Sequence, residues 1–231
     1  MSDWSIQRRF PRFPIQVPFQ LTTTAPGSSG GGVGWTRDLS EGGACVELNE
    51  RLPVPSPLHI HLQTDRGAIE IEAQVVWEAQ APVGGAQGSA QATGGVLYGV
   101  AFTHLAPDKL QTIRALLAPR GQERRSGIRL PIDVPVTCQP KGPGGSPLQG
   151  RTGNMSRGGL LLRLSHAVPP GTKLELTLHP PHGQVRAEGE VVWVEPLEKR
   201  SPGEPVRHGV RFNALGWSKA LSLALLLTED T

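Results

Sequence analysis

The polar and apolar positions of the first half alternate in short runs. Ile15, Val17, Phe19 and Leu21 share one side of a segment ending at Thr23, the period-two signature of a half-buried strand. Ala44–Leu48, Leu58–Leu62, Ile69–Trp77 and Val96–Phe102 read as further strands. Ala25–Gly34 reads as a Gly/Ser loop, and the Gly/Ala/Gln-rich stretch Ala81–Gly95 as a long hairpin loop. At Pro107 the period changes: Leu110, Ile113, Leu116 and Leu117 recur at helical spacing, and Pro119 ends the helix.

The pattern then starts again. Phe13–Pro18 recurs as Leu130–Pro135, Asp38–Ser40 as Asn154–Ser156, Val75–Trp77 as Val191–Trp193 and Tyr98–Phe102 as His208–Phe212, displaced by 117, 116, 116 and 110 residues. Blocks in one order at nearly constant spacing indicate a duplicated domain, predicted as 1–119 and 120–231. In the second copy strands are expected near 130–139, 149–153, 160–165, 172–179, 183–195 and 206–213, with a last helix over 217–227. Many short antiparallel strands with regular turns predict small barrels, each closed by a C-terminal helix.

Composition adds limits. The 29 Gly and 22 Pro fit a turn-rich β chain, and a net charge of +3 demands no polyanionic partner. Lys and Arg are dispersed along the chain, which disfavours a nucleic-acid polymer. Cys45 and Cys138 stand at non-equivalent places and read as neither a metal set nor a disulfide framework; Cys45, in an apolar run, reads as a small buried hydrophobe. The N-terminus lacks a basic start with an apolar stretch behind it, and no apolar run reaches the roughly 18 residues of a membrane span. The expectation is a cytoplasmic protein.

The candidate chemistry lies in two short motifs. Arg8 and Arg12, with Arg9 beside them, precede Asp38-Leu39-Ser40-Glu41-Gly42-Gly43; Arg125 and Arg129, with Arg124 just upstream, precede Asn154-Met155-Ser156-Arg157-Gly158-Gly159. Arginine meets guanine edges bidentately, stacks on bases and carries a fixed charge for phosphate. Asp38 can accept from guanine N–H groups, Ser40 can donate to phosphate, and a glycine such as Gly43 admits close approach. Pro11 and Pro14 favour an extended arm over a helix.

Arg-x-x-x-Arg with (Asp/Asn)-x-Ser-x-x-Gly resembles the PilZ family, whose members sense the bacterial second messenger cyclic di-GMP. The resemblance implies two six-stranded barrels with C-terminal helices. It also implies ligand sites formed by Arg8, Arg9, Arg12, Asp38, Ser40, Gly42 and Gly43, and by Arg124, Arg125, Arg129, Asn154, Ser156, Gly158 and Gly159. Asn154 lacks the charge of Asp38, so weaker binding is expected in the second copy.

Either half-motif alone would be a surface arginine pair or an Asx turn; their ordered duplication is the informative feature. Trp77 and Trp193 read as core or rim packing. His59 and His61 share one strand face but lack a third metal ligand, so a polar face is the better reading. Leu221–Leu227 reads as a helix packed on its own barrel that could also serve a homodimer. Neither a Ser/His/Asp set, a paired carboxylate site, a P-loop nor a metal cluster emerges, so no enzyme and no cofactor are expected. The expected partners are cyclic di-GMP and a downstream protein. The alternative is a ligand-independent adaptor.

Overall fold

The computed structural model describes residues 10–24, 31–48, 50–80, 95–118, 127–142, 145–181, 183–201, 203–213 and 217–228. The chain divides into two compact units with the main boundary between Ser126 and Gly127.

The first unit is a closed six-stranded antiparallel barrel. Its strands are β1 (Pro18–Thr23), β2 (Gly31–Ser40), β3 (Gly43–Leu48), β4 (Pro57–Thr64), β5 (Gly67–Gln80) and β6 (Val96–His104), in the order β1-β2-β3-β6-β5-β4. Inward residues of the alternating runs, among them Phe19, Leu21, Val46, Ile60, Leu62, Val75 and Val100, are fully buried, and this burial is the main force holding the barrel. Helix α1 (Pro107–Leu117) follows, with Pro107 in its first turn and Ile113, Leu116 and Leu117 buried.

The second unit repeats the topology. A two-residue β7 (Leu130–Pro131) precedes β8 (Pro135–Pro140), β9 (Leu148–Ser156), β10 (Gly159–Leu164), β11 (Lys173–Leu178), β12 (Val185–Val194) and β13 (Val206–Phe212). The order β10-β13-β12-β11-β8-β9 closes through the β9–β10 pairing, and β7 adds to β9. Cys138, fully buried, occupies Leu21's place inside the barrel, and burial pushes its thiol up to about 12. Helix α2 (Trp217–Thr228) packs on β12 and buries Leu223, Leu226 and Leu227, leaving Leu225 exposed.

Two expectations need correction. Gly31–Gly34, read as loop, begins the ten-residue strand β2. A Cβ on Gly34 would strike the Glu47 carbonyl, and one on Gly31 would lie 3.1 Å from the Leu21 carbonyl. The glycines are there because neighbouring strands come close. The stretch 130–139, read as one strand, is two, because Pro131 and Pro135 cannot donate to a continuous ladder. Most of the Ala81–Gly95 segment and Pro119 lie outside the described residues.

Candidate functional site

In each unit an extended arm runs along the strand that carries the motif. Phe13 and Leu39 exchange two backbone hydrogen bonds, each 2.9 Å, and Leu130 and Pro131 pair with Met155 and Asn154. A threonine fastens the next stretch of arm. Thr36 Oγ1 donates to the Ile15 carbonyl at 2.6 Å and accepts from the Val17 N–H at 2.8 Å. Thr152 does the same with Ile132 and Val134 at 2.7 and 2.9 Å. Both threonines are fully buried, so their loss would strand polar groups away from water. The motif reading missed them, although a Thr two residues before the Asp or Asn in both copies was a legible signal.

A β-bulge sits directly before the first motif residue in each unit. Register slips between Thr36 and Asp38 on β2 and, on β10, between Leu161 and Leu162, which face Asn154 and Thr152. Arg37 and Gly153 are the extra residues, and a bulge of this kind re-aims the side chain beside it. Arg12 Nη1 donates to Asp38 Oδ1 at 3.0 Å, and the Cys45 N–H donates to the same oxygen at 3.1 Å. Arg12 and Asp38 keep 26% and 30% of their side-chain surface, so the pair is open to a ligand. Cys45 is buried, and burial followed by the nearby Asp38 charge raises its thiol above the ordinary range.

Next comes the turn. Ser40 Oγ donates to the Gly43 carbonyl at 2.9 Å, and Ser156 Oγ to that of Gly159 at 3.3 Å. Both hydroxyls are buried and hold the turn shut, so phosphate donation by Ser40 would compete with this bond. Gly43 and Gly159 meet the Val100 and Val210 carbonyls where a Cβ would lie; strand packing already requires them bare. Gly42 faces the Phe10 ring, 2.7 Å from where its Cβ would stand, whereas nothing lies within 4 Å of that point at Gly158. Glu41 ties the first turn to α1, since Arg114 Nε and Nη2 donate to Glu41 Oε2 at 3.0 and 2.8 Å. Arg37 Nε donates to Glu47 Oε2 at 2.9 Å.

The second site has other chemistry around the same backbone. Asn154 Oδ1 is buried and has no hydrogen-bond partner among the described residues. Arg157 stands at Glu41's place and Arg163 at Glu47's. The Arg163 guanidinium lies over Gly153, with Nε and Nη2 each 3.1 Å from where a Cβ would be. Arg8, Arg9, Arg124 and Arg125 lie outside the described residues.

Cross-strand register extends the parallel. Asp38 pairs with Cys45, Cys45 with Gly99, and Gly99 with Trp77; Asn154, Leu161, Gly209 and Trp193 form the matching row. Each tryptophan follows a second bulge and is a rim residue, 39% and 43% exposed. Bare Gly99 lets the Trp77 indole lie against the sheet. His59 is exposed and His61 half-buried, on a polar strand face. Among the described residues no group of three His, Cys, Asp or Glu side chains gathers as a metal would require, and no helix is long and apolar enough to cross a membrane.

Two barrels of one topology, each with an arm laid beside a bulged (Asp/Asn)-x-Ser-x-x-Gly turn, define a tandem arm-and-barrel protein. The chain belongs to the PilZ domain family, whose model matches residues 6–118 and 120–217. Similar solved structures include the Bacillus subtilis inhibitor of motility MotI/DgrA, at 11% identity, 94% of this chain, 97% of that one and TM-score 0.38. The Borreliella burgdorferi PlzA protein in complex with c-di-GMP is similar at 12% identity over 91% of this chain and 88% of that one, TM-score 0.38. The PilZ domain of Escherichia coli YcgR with c-di-GMP is similar at 16% identity over 48% and 88%, TM-score 0.38. No curated protein matches the chain significantly.

Proposed function

We propose that this protein is a cyclic di-GMP receptor without catalytic activity of its own. The observation that carries the reading is the Arg12–Asp38 pair, set at 3.0 Å beside the bulge and still open to solvent. One guanidinium and one carboxylate held together in this way offer a donor fork and an acceptor to a guanine edge. Asp38 Oδ1 takes both protein hydrogen bonds, and Oδ2 has none among the described residues. Arg8 and Arg9, and Arg124 and Arg125 with Arg129 in the second unit, supply further charge for the ring phosphates. Ser40, Ser156 and the paired glycines shape the turn that the ligand meets.

Ligand binding fixes the arginine-bearing start of each arm, whose later residues already pair with the barrel. The second arm begins in the segment joining the two units, so fixing it changes how they are arranged and which downstream protein they engage. Isothermal titration of the full chain with cyclic di-GMP tests the reading. Arg12→Ala and Arg129→Ala should each remove one binding event, at least about tenfold in affinity, since hydrogen bonds to charged groups are worth about 1.5–3 kcal/mol. Absence of heat and of any thermal shift in the intact protein would move the assignment to a ligand-independent adaptor.

A further inference from the structure

Around the first site every described charge has an opposite partner. Arg12 pairs with Asp38 at 3.0 Å, Arg37 with Glu47 at 2.9 Å and Arg114 with Glu41 at 2.8 Å. The second barrel replaces all three carboxylates: Asp38 becomes Asn154, Glu41 becomes Arg157 and Glu47 becomes Arg163. Each arm brings three arginines by sequence, so the contrast lies in the barrels themselves.

Register concentrates the new charge. Arg151 pairs across β9–β10 with Arg163, and Arg163 across β10–β13 with Arg207. Three guanidinium side chains thus occupy one cross-strand row spanning roughly 10 Å at ordinary strand spacing. Like charges in register cost stability. The outer two are compensated: Arg151 Nε reaches Asp133 at 2.7 Å and Arg207 Nη2 reaches Glu195 at 2.6 Å. Both carboxyls are held below their usual range by those arginines. Arg163, between them, forms no ion pair among the described residues, although its charge adds to the lowering of Asp133, and its guanidinium lies over Gly153, next to Asn154.

We infer that Arg163 is a ligand-binding residue of the second site, and that the second site binds the dianionic dinucleotide more tightly than the first. The inference rests on the cyclic di-GMP reading above. A neutral amide in place of Asp38's carboxylate removes a negative charge beside the phosphates, and Arg163 adds a positive one that is held in no ion pair among the described residues. The Asn154 substitution, which by itself predicts the weaker site, is outweighed by the charge around it. The row belongs to this unit alone, because the corresponding first-unit positions are Trp35, Glu47 and Leu97.

The test is titration of the full chain with cyclic di-GMP at two salt concentrations. Arg129→Ala should abolish the tighter event and Arg12→Ala the weaker, the two differing by about tenfold at 0.15 M salt, where charges within about 8 Å are incompletely screened. In the Arg12→Ala background, Arg163→Gln should weaken binding several-fold. Arg163→Glu should weaken it further, and both should flatten its salt dependence. Unchanged melting temperatures show that the fold is kept; Arg163→Glu removes a like-charge row and should not unfold the barrel. The inference is overturned if Arg12→Ala removes the tighter event, or if Arg163→Gln and Arg163→Glu bind as the parent does. An intact protein that binds no cyclic di-GMP overturns the receptor reading itself, and this inference with it.

Discussion

At the scale of single residues, the two copies show how one structural task admits different side chains. Tyr98 Oη accepts the Leu52 N–H at 2.8 Å, and His208 Nε2 accepts the Val168 N–H at 3.0 Å, at equivalent places in the two barrels. Both rings are fully buried. The substitution matters because only His titrates near neutrality. Burial foremost lowers the His208 pKa from its ordinary 6.5, opposed by the Val206 and Leu162 backbone and the Glu195 charge and aided by the Arg200 charge. The folded state therefore favours neutral imidazole, whose Nε2 must be free of a proton to accept. Its stabilisation is complete above about pH 6.5 and is lost as pH falls through the lower folded value. The second barrel should melt at a lower temperature at pH 5 than at pH 7.5. His208→Tyr, copying the first barrel, should remove that barrel's share of the difference, as thermal denaturation followed by circular dichroism would show. Neither ring's role was legible in the sequence: the repeat aligned Tyr98 with His208, but their backbone partners lie 46 and 40 residues away.

At the scale of elements, the site is the meeting of an arm, a bulged strand and a tight turn. The first arm was legible from Pro11 and Pro14, which disfavour helix, whereas in the second copy the arm was read into a strand over 130–139 that Pro131 and Pro135 interrupt. The bulges were not, because an extra residue in one strand shows only against its partner's register. The motif glycines also separate at this scale. Gly42 faces Phe10 closely and Gly158 faces open space, so the same substitution should act unequally. Gly42→Ala should destabilise the first barrel by about 1 kcal/mol or more through overpacking, and should weaken ligand binding there by unseating the arm. Gly158→Ala should stay within about 0.5 kcal/mol of the parent. Urea titration of each full-length variant measures the difference; equal losses would show that the glycines serve the backbone alone.

At the scale of the whole molecule, the two-barrel plan makes a prediction about arrangement. If ligand fixes the start of the second arm, the joining segment shortens its reach and the scattering profile of the full chain should change at saturating cyclic di-GMP. Arg129→Ala should suppress the change, while superimposable profiles with and without ligand would rule out rearrangement as the output. The duplication, the six barrel strands of the second copy, the first arm and the motif residues were determined by sequence, because period-two alternation, proline and repeated blocks are local signals; the split of 130–139 into two strands was not. The charge environment of each site was not. Arg151, Arg163 and Arg207 are dispersed along the chain and read as ordinary surface charge until antiparallel pairing sets them side by side. Arg12 and Asp38 likewise meet only because the arm pairs with β2, and Glu41 meets Arg114 only because α1 folds back on the turn. Sequence names the candidate residues; pairing across strands decides which of their charges are already neutralised.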